Sequence, residues 1–116
     1  MLGGKAFAPN GVGFGTERPA AISNGGASAS GSISSVRWNS WGQDTAIGWG
    51  KIPLFKPRGG YYKHRVWIKL RAWVVGKCER QRAYTRLSIR YPRHPGGPLG
   101  PWRLWSGAAS ICSWPS

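Results

Sequence analysis

The stretch HRVWIKLRAWVV, residues 64–75, decides the fold. Val66, Ile68, Leu70, Ala72 and Val74 fall on one parity, and Arg65, Trp67, Lys69, Arg71 and Trp73 on the other. Side chains alternate across a β-strand with a period of two, so this pattern describes a strand with one apolar face and one face that is both cationic and aromatic. Residues Ala83 to Tyr91 repeat it. Thr85, Leu87, Ile89 and Tyr91 lie on one side and Tyr84, Arg86, Ser88 and Arg90 on the other, and Pro92 stops the run. The linker Gly76 to Arg82 is short enough for an antiparallel hairpin. Pairing the two strands collects Arg65, Lys69, Arg71, Arg86 and Arg90 on one sheet surface, together with Trp67, Trp73 and Tyr84.

Working outward, Ser32 to Trp41 and Ala46 to Phe55 are rich in β-branched and aromatic residues, with Pro53 limiting the second to an edge or a break. A short strand fits Ala20 to Ser23. Nowhere do apolar residues recur at three and four with caps at both ends, so no helix is predicted. The reading is an all-β fold: a small antiparallel, sandwich-like domain of about five strands over residues 18–92. Trp38 and Trp41, three apart, are expected on opposite faces unless a bulge intervenes, one in the core and the other exposed or covered by a loop, with packing favoured over ligand binding.

The flanks read differently. Seven glycines within the first 26 residues and little apolar periodicity make 1–17 a flexible amino-terminal segment. Residues 93–116 are an irregular tail, because Pro95, Pro98 and Pro101 forbid regular pairing while Trp102, Leu104 and Trp105 offer something to dock. One domain is the most that 116 residues support.

Charge bounds function more tightly than any motif. Seventeen Lys and Arg against three acids give a formal net charge of +14, and fourteen of those cations lie between Lys51 and Arg103 with Glu79 as the only acid there. Glu17, Asp44 and Glu79 are scattered, which supplies hydrolytic acid–base chemistry poorly and points away from an enzyme. Cations interleaved with tryptophans suit an anionic partner: single-stranded nucleic acid, an anionic polysaccharide, or an anionic lipid surface. The competing expectation is a protein partner docking on Trp67, Trp73 and Tyr84, with the charge serving solubility. No apolar run approaches the roughly 18–20 residues of a membrane-spanning helix, so no integral membrane segment is expected.

Cys78 and Cys112 allow one disulfide closing a loop of about 35 residues, or free thiols. His64 and His94 complete the count of a Cys2His2 site without its short ligand spacing, so no metal and no cofactor are expected. A Cys78 nucleophile paired with His64 or His94, beside Lys77, Arg80 and Arg82, is the enzymatic option. The Gly11, Gly13, Gly15 cluster lacks the strand and helix of a phosphate loop.

The run Ile33-Ser-Ser-Val-Arg-Trp38-Asn-Ser-Trp41-Gly42, then Ala46, Gly48 and Gly50, then Val66 to Leu70, then Tyr84-Thr85-Arg-Leu87, resembles small actinobacterial exported domains of unknown function. The likeness spans about 60 residues, from Ser32 to Pro92. It implies a compact β domain that is secreted or held at the cell envelope, and it carries no activity. Residues 53–60 stand where such domains place a cysteine loop, and residues 1–15 lack the apolar segment of a signal peptide.

Overall fold

The computed structural model describes residues 1–25 and 31–113. The fold is all-β, as the alternation requires. Six strands, β1 (Ile22–Ser23), β2 (Ser32–Trp38), β3 (Ala46–Ile52), β4 (Val66–Cys78), β5 (Gln81–Arg90) and β6 (Arg103–Leu104), pair antiparallel in sequence order as one curled sheet. No second sheet closes a sandwich among the described residues. The terminal segments cover the apolar face instead.

β4 and β5 are joined by Glu79 and Arg80, both left-handed (φ 54° and 68°), the two-residue turn whose twist matches that of the flanking strands. Val66, Ile68, Leu70 and Ala72 of β4 and Leu87 and Ile89 of β5 form the core face. Each large aliphatic side chain buried there contributes roughly 1.5–3 kcal/mol. In β3 the core parity is Ala46, Gly48, Gly50 and Ile52. Gly48 is needed because Trp38 of the neighbouring strand lies over it. A Cβ there would sit 2.9 Å from Trp38 Cε3.

Two irregularities set which side chains reach which face. Ser35 (φ 52°) is the extra residue of a β2 bulge between the Ser34↔Lys51 and Arg37↔Trp49 pairs. The bulge lets Ile33, Val36 and Trp38 all reach the core side while Arg37 stays outside beside Trp49. Val74 (φ 52°) drops out of the pairing between Trp73↔Arg86 and Val75↔Tyr84. Strict alternation therefore ends at Trp73. Val74, assigned to the core by parity, is 41% exposed, while Val75 and Tyr84 turn inward.

The flanks correct the sequence reading. Leu2, Phe7 and Phe14 are buried, with Phe7 and Phe14 ring centres 4.9 Å apart. The segment 1–17 is docked by backbone hydrogen bonds that glycine composition does not reveal: Gly3 N–H donates to Tyr84 O, Tyr84 N–H to Met1 O, and Gly4 N–H to Ile111 O. Gly3 is left-handed (φ 53°) and packs against Ile111, so here glycine serves close approach rather than looseness. The tail is also built in. It supplies β6, the buried Trp105, Ala108 and Ile111, and Cys112, which forms a disulfide with Cys78. The folded unit thus extends well beyond residues 18–92. Residues 26–29 of the glycine-rich stretch and the last three tail positions lie outside the described residues.

Candidate functional site

The face of β3, β4 and β5 opposite the core carries the alternate parity, and register places its side chains in rows. Arg37, Trp49, Lys69 and Arg90 are successive cross-strand partners over four strands, and Ser34, Lys51 and Trp67 form the next row. Side chains directly opposite lie roughly 4.5–5.5 Å apart at Cβ, so β3 and β4 hold a checkerboard: Trp49 beside Lys69, Lys51 beside Trp67. The ammonium groups settle over the rings, Lys51 Nζ 4.8 Å from the Trp67 centroid and Lys69 Nζ 5.8 Å from that of Trp49. Trp67 remains 45% exposed.

Further along the same face the groups stack in one alternating series: Arg86, Trp73, Arg71, Trp102, Arg90. The guanidinium carbon of Arg86 lies 5.2 Å from the Trp73 centroid, that of Arg71 lies 4.5 Å from Trp73 and 4.6 Å from Trp102, and that of Arg90 lies 5.8 Å from Trp102. Cation–π contacts, about 0.5–1 kcal/mol each when exposed and more when desolvated, hold these arginines in place of carboxylates. Arg71 Nε is buried without a hydrogen-bond partner, so this side chain is fixed by ring faces. Trp73 Nε1 donates to Ser88 Oγ at 2.9 Å, which explains the one buried polar side chain of the sheet.

The five predicted cations all lie on or beside this face, in different roles. Lys69, Arg71 and Arg86 sit over rings. Arg65, just before β4, is exposed and donates from Nη2 to Ser32 Oγ at 3.1 Å and from Nη1 to Ser34 Oγ at 3.4 Å. Arg90 donates from Nε to Gly100 O at 2.7 Å, so it also clamps the tail. Of the three predicted aromatics, Trp67 and Trp73 are on the face and Tyr84 is not. Tyr84 is 4% exposed on the core side, where its hydroxyl donates to Gln43 O and accepts from Gly42 N–H.

Trp38 and Trp41 are not on opposite faces either. β2 ends at Trp38, and Trp41 folds back to meet Trp38 and Tyr84 edge-on, with centroids at 4.8 and 5.1 Å. Both tryptophans pack against the core.

Arg37, Trp49, Lys51 and Trp102 were missed. The alternation of Ile47, Trp49 and Lys51 against Ala46, Gly48, Gly50 and Ile52 contained the signal for two of them, once β3 is paired with β4. Trp102 was expected to dock, but nothing in the proline-rich tail says that it docks on Arg71 and Arg90.

No acid answers these cations. Among the described residues the only ion pair is between the Met1 ammonium and Glu17, at 2.9 Å. Glu17 also accepts from Trp41 Nε1 at 2.6 Å, and its carboxyl is held below the usual range first by the bond to the ammonium and then by the indole. Glu79 accepts from Ala6 N–H at 2.9 Å, and Asp44 is exposed in the β2–β3 turn. No protein-family model, no curated protein and no solved structure matches this chain.

The cysteine and histidine options are placed as well. Cys78 and Cys112 share a disulfide and carry no thiol in this state. His64 and His94 are exposed, and no group of three or more metal-ligating side chains forms among the described residues. No helix there is long and apolar enough to cross a membrane.

Proposed function

We propose that this protein is a non-enzymatic binding domain that takes an anionic polymer or surface on the outer face of β3–β5, through Arg65, Lys69, Arg71, Arg86 and Arg90 with Lys51 and Arg37 beside them. One observation carries the reading: a face of interleaved cations and indoles has no carboxylate within ion-pairing distance of any Lys or Arg among the described residues. Such a face holds its charge in register and lacks internal counterions, so a polyanion gains both Coulomb attraction and released counterions.

A second reading, a protein partner docking on the exposed Trp67 with the charge incidental, is favoured by the 45% exposure of that ring. The Cys78–Cys112 disulfide and the tandem-tryptophan resemblance together support placement in an oxidising, extracytoplasmic compartment. The test is replacement of Arg65, Lys69, Arg71, Arg86 and Arg90 by Gln, followed by binding to heparin, single-stranded oligonucleotide and anionic vesicles at low salt. Loss of binding supports the polyanion reading. Binding that survives both the replacements and high salt, and fails on Trp67→Ala, supports the protein partner instead.

A further inference from the structure

Above the Lys–Trp checkerboard the sheet does not lie open. The loop that follows β5 returns over it and leaves a cleft of about 410 Å³ walled by Trp49 and Trp67 on the sheet side and by Pro92, Pro95 and Leu99 on the loop side, with Arg65 at the wall. That volume lies within the range of roughly 300–1,000 Å³ typical of small-molecule sites. The loop has its own framework: Gly97 N–H donates to His94 O, Gly100 N–H donates to Tyr91 O, and Arg90 grips Gly100 O. The walls are mostly apolar, two flat indoles facing two prolines and a leucine, with Arg65 as the charged group and no carboxylate among them.

We infer that this cleft receives a base of a single-stranded nucleic acid, stacked on Trp67, while the adjoining phosphates lie along Lys51, Lys69 and Arg65. The inference rests on the polyanion reading and narrows it to one chemistry. Two features select a nucleic acid over a polymer of charge alone. First, like groups of the checkerboard stand diagonally, roughly 7–8 Å apart, so rings and cations share one patch, and a single strand offers both base faces and phosphates to it. Second, Lys51 lies over Trp67 while that side chain stays 45% exposed, so indole surface remains beside the ammonium for a neutral π-system. Aromatic platforms inside a cationic groove are how sequence-tolerant single-strand binders work, and each stacked base contributes about 5- to 150-fold in affinity.

The experiment compares three probes by fluorescence and anisotropy: an oligothymidylate, an abasic deoxyribose-phosphate oligomer of the same length, and heparin. Trp67→Ala removes a half-exposed side chain and leaves the core intact. Trp67→Phe keeps a stacking ring. The expected result is that Trp67→Ala weakens oligothymidylate at least 5-fold, leaves the abasic oligomer and heparin within 2-fold, and is largely rescued by Trp67→Phe. Equal loss for all three probes, no loss for any, or heparin binding that needs Trp67 as much as the oligonucleotide does would overturn the inference while leaving the polyanion reading intact. Failure of all three probes to bind the unmodified protein at low salt would overturn both.

Discussion

The guanidinium carbon of Arg71 lies 4.6 Å from the ring centre of Trp102, a residue 31 positions later in a segment of the chain dominated by glycine and proline. This contact joins the tail to the sheet on the face that carries the charge. It also makes Arg71 the centre of a series in which three guanidinium groups alternate with two indoles.

Trp102→Ala should therefore loosen the hold of the loop on the sheet, which Arg90 and β6 still anchor. It removes two cation–π contacts and should cost about 1–2 kcal/mol in urea unfolding. Arg71→Lys keeps the charge and loses the planar stacking surface, so it should fall on the same side. A stability unchanged by both would show that the stack is incidental to the fold.

Tyr84 divides the account from a reading of parity alone. Its hydroxyl is bonded to Gln43 O and Gly42 N–H on the core side, so Tyr84→Phe should destabilise the protein by about 1 kcal/mol and leave polyanion affinity unchanged. Affinity measured beside the denaturation midpoint separates these effects. A binding defect without a stability defect would return Tyr84 to the charged face.

These contrasts show what the sequence makes legible. The strand pair 66–90, its two parities and the five cations follow from a period of two, because residues Val66 to Ala72 obey it without a break. The reading fails first at Val74, where a left-handed backbone in a β-branched residue interrupts the alternation and sends Tyr84 inward. Tyr84 is there bonded through its backbone N–H and C=O to Met1 and Gly3 of the amino-terminal segment, a tertiary contact that alternation does not encode. The same segment looked loose because glycine composition reports the entropy of the unfolded chain and is silent on close contacts such as Gly3 against Ile111. Trp49 and Lys51 were recoverable from alternation and pairing. Trp102 was not, since its partners are fixed only by how the loop returns.

The disulfide fastens the end of β4 to the tail across 34 residues. Closing a loop of that length restricts the unfolded chain by about 4 kcal/mol on entropy alone, so reduction should lower the urea midpoint substantially. Limited proteolysis should then cut first between residues 105 and 113, whose Ile111 packs beside the lost link. Equal midpoints with and without reductant would contradict this.

Glu17 gives the acid limb of stability its sign. Its carboxyl titrates below the usual value in the folded protein, because the Met1 ammonium and then the Trp41 indole bind the ionised form. The contribution is complete above pH about 4.5 and is lost as pH falls through the lowered folded value. The side chain is 70% exposed, so solvent screening holds the effect below about 1 kcal/mol. Glu17→Gln should be less stable than the unmodified protein at pH 7, and the gap should narrow as pH falls below the usual carboxylate range. A gap that does not change with pH would assign the loss to something other than this carboxylate.

The charged face is tested most directly by the salt dependence of binding. A single-stranded oligonucleotide titrated into the unmodified protein at several NaCl concentrations should give log K falling linearly with log [NaCl]. The slope should be about −3 to −4, as expected for some five phosphates neutralised on a single strand, and should flatten in the variant with all five cations replaced by Gln. A slope near zero, or the same slope in both proteins, would contradict the assignment of this face to a polyanion.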